Sequence, residues 1–348
     1  MRFENVCVEA VACHLPENIV PSAELEQRLA EVYDRLKLPY GRLEMMSGIR
    51  ERRFWNNGVY PSEIGSVAGE KAIEKSGLER GEIGCLICAS VCRDFLEPAT
   101  ASVIHHNLEL SQEALLFDVS NACLGVLNGM VIVANMIELG QIRAGLVVAG
   151  ENGGPLIDHT IATLRANPEL KRADVKSSFA SLTIGSGAAA VLLTHRSLSR
   201  SYHKLLGGEA WAATEFNDLC RGNADGGMGA ESTPLMTTDS ETLMKQGCLL
   251  AGKTWEKTKA TLGWNNDDVD RVFCHQVGHL HRKLMYETLR LPLEKDFSTL
   301  EFLGNTGAAS LPATLALGEA AGCLKKGDKA ALLGIGSGLN CLMLGLEW

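Results

Sequence analysis

Two stretches of this chain, far apart in sequence, place the same residue types in the same order. MIELGQIRAGLVVAGENG, from Met136, passes from a helix end through a glycine stop into an apolar strand that finishes in glycine. CLKKGDKAALLGIGSG, from Cys323, does the same, with Gly327 standing where Gly140 stands in the first. Each follows a helix of small residues, one starting near Cys123 and the other near Asn305. Before each helix lies an apolar strand, GCLICASV in one half and RVFCHQV in the other. A duplicated alternation of strands and helices predicts two similar α/β units packed as pseudo-twofold halves. GCLICASV is continuously apolar rather than alternating, which suits a central parallel strand covered on both faces. The expected division is an N-terminal half, 1–178, and a C-terminal half, 179–348, with the glycines of TIGSGAAAVLL leading into the second.

The remaining elements fill in around the repeat. Residues 4 to 14 read as a first strand, and Pro21 with Ser22 opens a helix that aligns Leu25, Leu29, Val32 and Leu36 on one face. Another helix runs from Pro61 to Ser76, and residues 155 to 178 read as a helical excursion. SGIRERRF, from Ser47, is charged and begins with a turn glycine, so it reads as a surface loop whose arginines could meet an anionic ligand. Residues 205 to 240 are rich in Gly, Asn, Asp and Thr with weak periodicity, as in a long loop over a pocket.

Composition narrows the function. With 348 residues and 46% hydrophobic content the chain can bury two cores without disulfides. A formal net charge of −9 argues against a nucleic-acid binder, which needs a basic face. The 11 cysteines lie in apolar or small-residue contexts and the first residues lack a basic-then-apolar signal, so a reduced, cytoplasmic protein is expected. No apolar run reaches the roughly 18 residues of a membrane span.

The chemistry centres on Leu115 to Met130, LLFDVSNACLGVLNGM. It reads as a buried strand delivering Cys123 to a helix N-terminus, where unpaired N–H groups and the helix dipole favour a thiolate. A core cysteine at a tight turn is the competing reading. Cys85, Cys88 and Cys92, with His105 and His106, would be the metal candidates. Cysteines in a strand alternate faces and no second CxxC pair follows, so they are read as core. Three residues at strand ends then coincide across the two halves: Cys123, His275 after RVFC, and Asn305 in FLGNTGAAS. A thiolate, an imidazole and an amide at a shared cavity suit acyl transfer: the cysteine holds an acyl group as a thioester while the other two donate to the oxygen of a second acyl group as it becomes an enolate.

NACLG, CHQVG, GNTGAAS and GIGSG, in that order, resemble the thiolase superfamily, and SGIRERRF resembles the GIRERR segment of β-ketoacyl-acyl-carrier-protein synthase III. The likeness covers nearly the whole chain. It implies the five-layered αβαβα thiolase fold and the triad Cys123, His275 and Asn305. It also implies an oxyanion hole built from the backbone N–H groups of Cys123 and Ser337. Two features depart from the synthase III pattern. At the coenzyme A mouth, Arg42 and Met46 stand where that type has tryptophan and arginine. In RDFLEPATA, Glu97 precedes Pro98 where that type is apolar. A decarboxylating synthase needs no base for an α-proton, whereas a non-decarboxylating Claisen enzyme does, and a carboxylate serves.

In this respect the chain is similar to the OleA condensing enzymes of bacterial long-chain olefin biosynthesis. That resemblance implies a homodimer in which Glu97 serves the partner subunit's site, and two fatty acyl-CoAs joined head to head into a 2-alkyl-3-ketoacid for downstream enzymes. No metal or organic cofactor is called for, acyl-CoA being the substrate. Two alternatives stay open at this point. One is decarboxylative condensation with a malonyl carrier protein, or transfer to an oxygen or nitrogen acceptor. The other is a non-catalytic acyl-binding or scaffold subunit.

Overall fold

A computed structural model describes residues 1–222, 235–275 and 277–348. The first half runs β1 (Val6–His14), β2 (Asn18–Pro21), α1 (Ser22–Arg28), α2 (Ala30–Leu36), α3 (Arg42–Ser47), β3 (Glu51–Phe54), α4 (Pro61–Ser76), β4 (Ile83–Cys88), α5 (Thr100–Asn107), β5 (Leu115–Asp118), α6 (Gly125–Glu138), β6 (Ala144–Glu151), α7 (Gly154–Ala166), α8 (Arg172–Ser177) and β7 (Gly187–His195). The second runs β8 (Lys204–Ala212), β9 (Cys220–Gly222), β10 (Met236–Thr238), α9 (Ser240–Leu262), β11 (Arg271–Cys274), α10 (His279–Leu289), α11 (Leu300–Leu303), α12 (Ser310–Ala320), β12 (Lys329–Gly336) and β13 (Asn340–Glu347).

The duplication is a duplication of pairing. In the first half β4 lies parallel to β5 and β6, and β7 is antiparallel to β6 and β1. In the second, β11 lies parallel to β12, and β13 is antiparallel to β12 and β8. The Asp296–Phe297 segment, bridged in parallel to Val272, stands where β5 stands in the first half. The strands follow one another as β11-β12-β13-β8-β1-β7-β6-β4-β5, and the halves join where Cys7 of β1 pairs with Lys204 of β8.

The apolar clusters give the layers. On β4 and β6, Ile87 and Val147 face α6 and α12, while Leu86 and Val148 face α4 and α5. On the second half, Leu332 and Leu344 face the same central helices, while Leu333 and Met343 face α9 and α10. Successive strand residues point to opposite faces, so continuous apolar strands require helices on both sides. The result is helices, sheet, helices, sheet, helices, the expected αβαβα order. The central helices approach the sheets closely at their glycines, Gly125 against Ala89 and Gly129 against Val147 on α6 and Gly318 against Phe273 on α12.

Four expectations need correction. First, β7 pairs with β1 and β6, so it closes the first half; the repeat turns over between His195 and Lys204, well after residue 178. Second, β5 is a short edge strand with Leu115 55% exposed, because among the described residues only β4 flanks it. Third, SGIRERRF is no surface loop: Glu51–Phe54 pairs with Asn18–Pro21, and Arg52 is wholly buried. Its guanidinium donates to Ser22 Oγ at 2.9 Å and the Leu182 carbonyl at 3.1 Å, so it does not meet a ligand. Fourth, the stretch 205 to 240 begins as sheet, in β8; its residues 223–234 lie outside those described. The helix expected after Pro21 is present but breaks at Leu29, and Pro61–Ser76 is a helix as expected.

Candidate active site

Cys123 sits in a sharp turn between β5 and α6. Ala122 before it takes φ +45°, a left-handed conformation that costs a non-glycine residue roughly 1–2 kcal/mol and turns the chain back sharply. Gly125 opens α6 against the end of β4, where an added Cβ would lie 2.2 Å from the Ala89 carbonyl oxygen. This close approach seats the cysteine turn on the strand ends.

The second half meets that turn directly. The Leu124 side chain packs over Gly334 and Gly336 of β12. The Asn121 amide donates to Asn128 Oδ1 at 2.7 Å and Asn340 Oδ1 at 3.1 Å, and Asn340 Nδ2 donates to the Ser337 carbonyl at 2.9 Å. A chain of amides therefore fixes the Ser337 turn relative to the Cys123 turn, the two places whose backbone N–H groups are expected to form an oxyanion hole. An open cleft of about 310 Å³ borders these amides, with Trp211 on its wall.

His275 follows β11, and its backbone N–H bonds to the Leu333 carbonyl at 2.9 Å, three residues before Gly336. Its side chain is buried, with neither ring nitrogen bonded among the described residues. Burial, with His281 nearby, pushes the imidazole pKa down to about 3. The ring is therefore neutral near pH 7 and offers one N–H as a donor. The helix that follows it packs on the end of α3, where Gly48 meets the His279 side chain. That places the Arg42–Met46 helix beside the histidine loop.

Asn305 is held from both sides. Its N–H donates to the Thr183 carbonyl and its carbonyl accepts from Gly185, each at 2.9 Å. Its Oδ1 accepts from the Gly307 N–H at 3.0 Å, which leaves the side-chain NH₂ as the end available to donate.

Between these turns lies a carboxylate that sequence reasoning passed over. Glu151 ends β6, is buried, and accepts backbone N–H groups from Val91 at 2.8 Å, Cys92 at 3.1 Å and Ala308 at 3.2 Å. One signal was legible: a charged residue closing a run of otherwise apolar strand. Burial first, then Glu151 and Cys220, push the Cys123 thiol up to about 12. The expected thiolate at a helix N-terminus is thus not the resting state. α6 begins two residues beyond the cysteine, and burial together with a nearby carboxylate favours the neutral thiol.

Glu97 is exposed, on the loop between β4 and α5. Asp94 and Glu151 pin the base of that loop, through the N–H groups of Ser62, Val91 and Cys92. Its surface carries Val91, Phe95 and Leu96, all exposed. So the structure gathers the Cys123, His275 and Ser337 turns along the ends of β11 and β12, and ties the Asn305 turn to Glu151. Glu97 points into solvent. Cys85 and Cys88 are core residues of β4, as read from the sequence.

Comparison with known proteins agrees with this arrangement. Residues 117–207 match the family model for 3-oxoacyl-[acyl-carrier-protein] synthase III, and residues 260–348 match the model for its C-terminal part. An acyl-CoA:acyl-CoA alkyltransferase of Shewanella oneidensis is 42% identical over the full length of both chains. One from Xanthomonas campestris is 37% identical, also over both full lengths. A structure of Xanthomonas campestris OleA with bound lauric acid and lauroyl-CoA superposes with a TM-score of 0.93, covering 99% of this chain and 100% of that one. Other structures of that OleA have a cysteine, a glutamate or a histidine replaced. The cysteine and glutamate lie as far apart in its sequence as Cys123 and Glu97 lie here.

Proposed function

The chain belongs to the acyl-CoA:acyl-CoA alkyltransferase family of thiolase-fold condensing enzymes, and from that membership we propose how its residues divide the work. It is an acyltransferase that joins two fatty acyl-CoAs head to head without decarboxylation. Cys123 attacks the first acyl-CoA; the new C–S bond forms as the bond to coenzyme A breaks, and coenzyme A leaves carrying the thiol proton. The backbone N–H groups of Cys123 and Ser337 hold the oxyanion. Glu97, lent by the partner subunit, then takes an α-proton from the second acyl-CoA. The N–H of neutral His275 and the NH₂ of Asn305 receive the enolate oxygen, and the α-carbon attacks the Cys123 thioester, expelling the Cys123 thiolate, which takes up the proton held by Glu97 and returns to the thiol. Hydrolysis of the remaining coenzyme A thioester gives a 2-alkyl-3-ketoacid.

The observation that carries this reading is the pair of available, uncharged donors. His275 is buried and unbonded among the described residues, and Asn305 has its oxygen engaged so that its NH₂ is left over. Such donors strengthen their bonds as charge develops on an enolate, without first having to shed water.

A homodimer completes the site. Glu97 is exposed on its own chain among Val91, Phe95 and Leu96, and the edge strand β5 exposes Leu115. Apolar side chains presented together beside a needed carboxylate fit an interface between copies. A reduced, cytoplasmic setting and independence from metal or organic cofactors belong to the same proposal.

The experiment is incubation of purified protein with myristoyl-CoA alone. Coupled ketoacid is expected. Product that requires malonyl carrier protein would instead establish a decarboxylating synthase. Mixing Glu97→Ala with Cys123→Ala, each inactive alone, should restore part of the activity if the glutamate works across subunits.

A further inference from the structure

Glu151 is a buried carboxylate that the reaction above does not use. It is 4% exposed, and no cation pairs with it among the described residues. Taking a carboxylate out of water costs several kcal/mol unless its lone pairs are satisfied. Three backbone N–H groups satisfy them here, and their origin is the point. Val91 and Cys92 form the base of the Glu97 loop; Ala308 belongs to the turn that carries Asn305. Gly307 leaves room for this contact, since a Cβ there would lie 3.2 Å from the carboxylate and its φ is +56°. The backbone carbonyl of Glu151 is fixed as well, accepting from Trp55 Nε1 at 3.1 Å.

We propose that Glu151 is the positioning residue of the condensation half-reaction, setting with one side chain both the Asn305 amide of its own site and the base of the loop that lends Glu97 to the partner. The proposal rests on the roles given above to Glu97 and Asn305. A neutral acceptor would satisfy fewer N–H groups; a carboxylate reaches two segments at once because each oxygen accepts more than one bond. The titratable side chains facing it are thiols: Cys88 on β4, Cys92 on the loop and Cys123 on the nucleophile turn. Its charge opposes ionisation of all three, which supplies a second readout.

The test uses Glu151→Gln and Glu151→Asp in the full-length protein. Glutamine keeps one oxygen for Val91 and Ala308 but turns an NH₂ toward the Cys92 N–H, and it removes the charge. Aspartate keeps the charge but is one methylene too short to span both segments. Acylation of Cys123, followed as the first release of coenzyme A from myristoyl-CoA, should fall in neither variant: it stays near the parent rate in aspartate and is at or above it in glutamine, where the thiol ionises more readily. Exchange of the second acyl-CoA's α-hydrogen with deuterated solvent, and ketoacid formation, should fall about tenfold to a hundredfold in both, as expected for catalytic groups misplaced by about 1 Å. Iodoacetamide alkylation of Cys123 should move to lower pH in the glutamine variant and keep the parent profile in the aspartate variant, which reports the charge beside the thiol, while the loss of condensation without loss of acylation is the split that a purely structural role would not produce. Parent-like α-hydrogen exchange in both variants would overturn the proposal. Equal losses in acylation and condensation would overturn it too, by reducing Glu151 to general support. A parent enzyme that forms no ketoacid would overturn the reaction itself, which is a distinguishable failure.

Discussion

Gly125→Ala tests whether the cysteine is positioned by backbone contact rather than by its own side chain. The added Cβ would lie 2.2 Å from the Ala89 carbonyl oxygen and 3.1 Å from its carbon. The strand end that carries it is held from both sides, the Ala89 N–H donating to the Val148 carbonyl of β6 and the Cys88 carbonyl accepting from Val119. A carbon–oxygen contact must open to roughly 3.2 Å, so the start of α6, with Cys123 two residues earlier, must move by about 1 Å. Overpacking of this kind costs about 1–3 kcal/mol, while alanine in place of glycine returns up to about 1 kcal/mol of helix propensity. The net loss of stability is about 0–2 kcal/mol, a shift of a few degrees in Tm. Catalysis is far more sensitive: displacing the nucleophile by about 1 Å costs about a hundredfold, or about 2.7 kcal/mol of transition-state stabilisation. The assay is the burst of coenzyme A released when Cys123 is acylated by myristoyl-CoA, with thermal unfolding measured in parallel. Gly81→Ala, where an added Cβ meets nothing within 4 Å, is the control and should behave as the parent. A Gly125→Ala protein that acylates at the parent rate with an unchanged Tm would refute the argument.

Three further outcomes follow from buried charge. With the Cys123 thiol pushed up to about 12, iodoacetamide alkylation without acyl-CoA should rise about tenfold per pH unit from pH 6 to 9, and a plateau below pH 8 would show that an ion pair already holds the thiolate. His275 and His281, lowered to about 3 and about 4 by burial, stay neutral in the folded chain while their unfolded counterparts take up protons below about pH 6.5. Stability should therefore fall on acidification from pH 6.5 toward 4, by roughly 1.4 kcal/mol per pH unit for each histidine; Glu151 and Asp296, raised by burial, take up protons in the folded state and offset part of this. Urea midpoints of His281→Leu should show a flatter pH dependence than the parent, and an unchanged slope would count against this assignment. Arg52→Lys should cost about 1–3 kcal/mol, since one ammonium cannot replace the fork that reaches both Ser22 and Leu182, whereas Arg50→Lys, at an exposed ion pair with Glu301, should cost under about 0.5 kcal/mol; equal urea midpoints would contradict this.

The sequence by itself determined the architecture, because its repeat is a repeat of pairing demands. An apolar strand, a small-residue helix and a second apolar strand can be buried on both faces only between helices, and writing the set twice makes two stacked halves. The candidate residues were legible because Cys123 and His275 stand in turns that follow strands and Asn305 in a glycine-marked turn between two helices. Tertiary structure alone decided what those residues experience. Whether Cys123 rests as thiol or thiolate depends first on its burial and then on Glu151, whose place beside it is set by the packing of β6 against two loops, and no local pattern encodes either. The burial of Arg52 likewise follows from the pairing of β3 with β2 and the nearness of Leu182, not from a segment that is charged in four of its eight positions. Local sequence fixes periodicity and turn chemistry; the electric and solvent environment of a side chain is a sum over neighbours distant in the chain, and it exists only once the halves have met.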